Sequence, residues 1–136
     1  MSTLSPFIRF NDGRCREAMN FYKDCLGGEL FFRPVKGSPM EKDMPADKHD
    51  LIMHSTLTKD NWILIGSDMM RDTAVKGDSV GVSLSYENEK DARDAFAKLA
   101  EGGEIFMPIE VMFWGDLFGL VTDKYGVEWM LNCPMK

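Results

Sequence analysis

Two stretches of the chain nearly repeat one another, FYKDCLGGELF from Phe21 to Phe31 and FAKLAEGGEIF from Phe96 to Phe106, with six of eleven positions matching without a gap. The likeness extends upstream, where FIRFN precedes the first copy and GVSLSY the second, so each copy offers a strand, then a helix, then a glycine stop. Ala18, Phe21, Tyr22, Cys25 and Leu26 recur at helical steps, as do Ala92, Ala95, Phe96 and Leu99. Gly27-Gly28 and Gly102-Gly103 end the helices, and ELFFRPV and EIFMPIE begin new strands. LIMHSTLTKDNWILIGSD and DLFGLVTDKYGVEWMLN then each read as two extended runs about a short polar turn. The pattern predicts an α+β fold of two βαβββ modules, about residues 4–68 and 79–134, linked by 69–78. Residues 36–50 read as a loop, being rich in Pro, Gly and charge without apolar periodicity.

Length and charge bound what such a chain does. At 136 residues and 44% apolar content it is expected to form a single domain, 1–136, around one sizeable core. The net charge of -6 repels phosphate backbones and anionic lipid, which argues against nucleic acid and membrane partners. No apolar run suits a membrane span, and MSTLSPFIRF lacks the pattern of a signal peptide, so a cytoplasmic location is expected. Cys15, Cys25 and Cys133 form no CxxC pair and read as free thiols.

Three blocks, SPFIRFNDGRCREAMNFYKDCLGGEL, LIGSD and FWGDLFGLVTDKYGVEWMLN, resemble the vicinal oxygen chelate superfamily of glyoxalase and bleomycin-resistance proteins, and within it the PhnB-like branch. The resemblance implies that each module curls its sheet into a half-barrel around a ligand cavity, which in many relatives holds a divalent metal. It also implies a homodimer. Carried over one at a time, the metal positions fall on Phe7, on or beside Gly81, at about Gly66 with Ile65 next to it, and on Met130. None of these is a ligand for a hard or borderline ion, and the neighbours Ile65, Ser67, Val80 and Val82 do not restore one. No metal and no cofactor is therefore expected. Branch members often carry a demethylubiquinone methyltransferase label, yet the glycines of LGGEL follow a helix rather than cradle a nucleotide before one.

Several side chains remain as candidates for binding. Arg9 interrupts an apolar strand, and alternation turns Phe7 and Arg9 to one face and Ile8 and Phe10 to the other, toward the helix. A cavity-lining arginine suits a carboxylate through bidentate hydrogen bonds; an internal ion pair with Glu128 is its other use. His54, in LIMHSTL, serves either as a hydrogen-bonded structural residue or as a polar pocket wall, and His49 reads as a solvated loop residue. Ser83 and Ser85 offer small neutral donors if Val82, Leu84 and Tyr86 pack on the second helix, while Trp114 and Met130 offer polarizable walls. Cys133 reads as structural.

Two functions remain open on these residues. One is a metal-free homodimeric binding protein for a small, partly apolar, anionic molecule, with Phe7, Arg9, His54, Ser83, Trp114 and Met130 at the ligand and no catalytic residue assigned. The other is a metal-dependent lyase, isomerase or thiol transferase that uses the shifted ligands His54, Glu110, Asp116 and Glu128.

Overall fold

The computed structural model describes residues 2–68, 74–75 and 77–135; of the expected linker, residues 69–73 and 76 lie outside that set. The chain forms two compact units, Met1–Val75 and Lys76–Lys136. Each unit is one βαβββ module. The first runs β1 (Phe7–Arg9), α1 (Cys15–Leu26), β2 (Glu29–Pro34), β3 (Ile52–Lys59) and β4 (Trp62–Ser67). The second runs β5 (Val82–Ser85), α2 (Glu89–Ala100), β6 (Glu104–Val111), β7 (Asp116–Thr122) and β8 (Glu128–Pro134). The sheet orders β1-β4-β3-β2 and β5-β8-β7-β6 are the same order twice, each with one parallel pair formed by the first and last strands. Among the described residues no helix is long and apolar enough to cross a membrane.

The helices follow their apolar stripes. In α1, Cys15, Ala18, Met19, Tyr22, Cys25 and Leu26 are buried, and in α2 the buried set is Ala92, Ala95, Phe96 and Leu99. Phe21, expected on the first stripe, lies at its margin, half-buried with its ring 5.7 Å from that of Tyr22. The helix starts differ in the two modules. Asn88 caps α2 locally, its side chain accepting from the Asp91 N–H at 3.0 Å. Arg14 gives α1 no side-chain cap; Asp68 reaches back from the end of β4, its Oδ1 accepting from the Cys15 N–H and its Oδ2 from the Ile52 N–H, both at 2.9 Å. A carboxylate at the positive end of a helix is favourable, so the Asp of LIGSD joins α1, β3 and β4.

Loop and turn chemistry completes each unit. The expected loop 36–50 contains two single-turn 3₁₀ helices, Glu41–Asp43 and Ala46–Lys48. His49, expected as a solvated side chain, is half-buried, with Nε2 2.9 Å from the Met44 carbonyl, so it fastens this loop. In the second module Asp123 is 3% exposed and gathers the β7–β8 turn. Its Oδ1 accepts from the Tyr125 N–H at 2.8 Å and the Val127 N–H at 3.1 Å, and its Oδ2 accepts from the Trp129 indole N–H at 2.7 Å. Cys133 packs with Ala92 and Leu117, and Tyr86 lies against that cluster, as its place on the helix face of the sheet requires.

Candidate functional site

One face of the first sheet is spoken for. Ser55, Leu57, Leu64 and Gly66 turn toward α1: the Ser55 hydroxyl is 3.4 Å from Cys15 Sγ, and a Cβ at Gly66 would meet Met19. Burial pushes the Cys15 thiol from its ordinary 9.0 up to about 12, so it is protonated and inert near neutral pH. Cys25 and Cys133 are buried as well, which removes all three thiols from surface chemistry.

Alternation leaves the opposite face to Phe7 and Arg9 of β1, Phe31 and Arg33 of β2, His54 and Thr56 of β3, and Ile65 and Ser67 of β4. The register sorts these residues into two rows. Phe7 pairs with Ile65, Ile65 with Thr56 and Thr56 with Phe31, forming a row across all four strands that is apolar but for the Thr56 hydroxyl. One step along, Arg9 pairs with Ser67 and His54 with Arg33; extending the β3–β4 register by one residue sets Ser67 opposite His54 and completes a cationic and polar row. The rows are joined at both edges of the sheet. Arg9 Cζ lies 5.3 Å from the centroid of the Phe7 ring, and Arg33 Cζ lies 5.6 Å from that of Phe31. Phe7 and Phe31 remain 43% and 56% exposed, an accessible apolar floor. Such a face matches an acidic group through guanidinium hydrogen bonds and an apolar body through the rings.

The sequence reasoning turned Phe7 and Arg9 to one face and left His54 between a structural role and a pocket wall; the register sets all three on one face. His54 is half-buried, and its ring makes no side-chain hydrogen bond to another described residue. Arg33 and Phe31 were missed. In ELFFRPV the alternation was visible, but only the pairing of Arg33 with His54 shows which face it serves.

The second sheet offers a different surface. Val82 and Leu84 face α2 with their partners Trp129 and Leu131, so Ser83 and Ser85 turn outward beside Met130 and Asn132. Leu120 pairs with Met130 and Phe118 with Asn132, and the Trp114 ring stacks edge-on against Phe118 at 5.6 Å. Ser83, Met130 and Trp114 therefore share one aromatic-walled face of this module, which also carries Glu110, Asp116 and Glu128; Phe7, Arg9 and His54 belong to the other unit.

The positions where relatives hold a metal carry no ligand set. Phe7 and its partner Ile65 are hydrocarbon, Gly66 turns toward α1, and Met130 faces Ser83. The shifted acids do not converge. Asp116 opposes Pro134 and Glu128 opposes Thr122, at opposite ends of the β7–β8 ladder and roughly 20 Å apart at about 3.3 Å per residue; Glu110 opposes Phe118. Among the described residues no group of three or more His, Cys, Asp or Glu side chains is placed to hold one ion. Phe7, Ile65, Gly66 and Met130 offer no imidazole, carboxylate or thiolate donor to a divalent ion.

Comparison with known proteins agrees with this architecture. A sequence model described as Glyoxalase/Bleomycin resistance protein/Dioxygenase superfamily matches residues 6–131. Protein YjdN of Escherichia coli (strain K12) is 30% identical over 143 residues, spanning 95% of this chain and 93% of YjdN. The crystal structure of protein PA1353 from Pseudomonas aeruginosa shares 36% identity at a TM-score of 0.86 over 100% of both chains. The structure of the PhnB protein from Bacillus cereus shares 25% identity at a TM-score of 0.74, over 97% of this chain and 99% of that one. With two βαβββ modules in matching strand order and a family match over nearly its whole length, the chain belongs to the glyoxalase/bleomycin resistance/dioxygenase superfamily.

Proposed function

We propose that this protein binds, without a metal, a small, partly apolar molecule bearing an acidic group. The observation that carries the reading is the paired rows on the open face of the first module, with Arg9 and His54 in one and Phe7 and Ile65 in the other. The second module has an open sheet face of its own, with Ser83, Met130 and Trp114 on it. The lack of a ligand group at the family's metal positions favours binding over metal-assisted chemistry.

Calorimetric titration with 2-naphthoate, an apolar ring with one carboxylate, tests the reading. Arg9→Ala is expected to weaken binding by tenfold or more, since one charge-assisted contact contributes about 1.5–3 kcal/mol. The neutral amide of the same ring is expected to bind no better to wild type than to Arg9→Ala. Equal affinity of wild type and variant for 2-naphthoate would remove Arg9 from the site.

We further infer that the chain works as a pair with a second copy of itself. The resemblance implies such a pair, and the residues of β6 support it, because Ile105, Phe106 and Val111 lie exposed on an edge strand. Light scattering at several concentrations is expected to give about twice the 15.4 kDa chain mass. The chain mass alone throughout would refute the pairing.

A further inference from the structure

We propose that the open face of the first module is bipolar, so that its ligand is a dianion with acidic groups at the two ends of an apolar body. This rests on the reading above and extends it to a second pole, Arg33. The geometry that points to it is the equivalence of the two sheet edges. On β1, Arg9 lies over Phe7 two residues earlier in the strand, and on β2, Arg33 lies over Phe31 in the same relation. The register places the two arginines in one row and the two phenylalanines in the next. Three strand spacings separate the edges, roughly 14 Å between backbones, which both side chains span in part by leaning over the face.

The floor between the poles suits the middle of such a ligand. Ile65 and the Thr56 methyl continue the row, while Ser67 turns its hydroxyl back to the Met53 carbonyl at 2.7 Å. His54 stands beside Arg33, and its ring makes no side-chain hydrogen bond to another described residue. Among the described residues no carboxylate lies within ion-pair distance of Arg33. Glu29, the acid on the same face of β2, is four residues away beyond Phe31, about 13 Å along the strand, too far to neutralise the pole. A monoanion held at Arg9 leaves the Arg33 guanidinium without an anionic contact. A dianion engages both, and its two contacts share a single cost of immobilisation.

The test compares naphthalene-2,6-dicarboxylate with 2-naphthoate by calorimetry on wild type, Arg33→Ala and Arg33→Gln. The dicarboxylate is expected to bind wild type at least tenfold more tightly, and both Arg33 variants are expected to shrink that ratio to below about threefold. Arg33→Gln keeps polar length on the edge strand, so agreement between the variants separates lost charge from altered folding. Arg9→Ala should weaken both ligands. A wild-type ratio near one, or a ratio that survives both Arg33 substitutions, overturns the bipolar assignment while leaving an Arg9-dependent monoanion site intact. Failure of 2-naphthoate itself to bind overturns the parent reading, and the assignment with it.

Discussion

Asp123→Ala is expected to destabilise the protein by roughly 3–5 kcal/mol, a large share of the 5–15 kcal/mol that domains of this size possess. The carboxylate is buried and accepts from three donors, the Tyr125 and Val127 backbone N–H groups and the Trp129 indole. Alanine leaves all three in a site that water does not replace at full strength. Asp123→Asn separates the contributions. The amide oxygen still accepts from the turn, but the amide nitrogen then faces the Trp129 N–H, donor against donor, so the link to β8 fails while the turn persists. Urea unfolding should rank wild type above Asn above Ala, and Asp123→Asn combined with Trp129→Phe should cost less than the sum of the two single changes. Additive costs would show that the indole bond carries no stability of its own.

That aspartate also shows what the chain disclosed before its structure was known. Asp123, Tyr125, Val127 and Trp129 stand in FWGDLFGLVTDKYGVEWMLN, one of the blocks that carries the family resemblance, and in the structure Asp123 ties the other three into one turn. The strand, helix, three-strand order was legible twice over, because 3.6- and 2-residue periodicities are local and the glycine stops are punctuated in plain view. The face carrying Phe7 and Arg9 was legible for the same reason. What escaped depends on register. Asp68 caps α1 from 53 residues away, and Arg33 joins His54 only because β2 and β3 pair at that offset. No short window contains either fact. The bulge at Met53 in β3, opposite the step from Arg33 to Pro34, is likewise invisible until the partner strand is laid beside it.

A second large effect is expected at a glycine, and its size depends on what a new methyl group would strike. Gly119 in β7 lies opposite a place where β6 slips register: Met107 pairs with Leu120 and Glu110 with Phe118, so Pro108 and Ile109 together face one residue. The slip brings the Ile109 backbone over Gly119, where an added Cβ would lie 2.9 Å from Ile109 Cα and 2.8 Å from the Phe96 ring on α2. Neither moves readily, since one is main chain and the other is wedged in the core at 4% exposure. Gly66 in β4 is equally enclosed, but the atom 2.7 Å from its added Cβ is Met19 Sδ, in a flexible side chain that can swing to another rotamer. Gly119→Ala is therefore expected to cost about 2–3 kcal/mol and Gly66→Ala about 1 kcal/mol, read as shifts in urea midpoint at constant slope. Equal costs would mean that β6 yields as easily as a methionine, and that the bulge is a loose edge rather than the fixed lid over α2 that these distances describe.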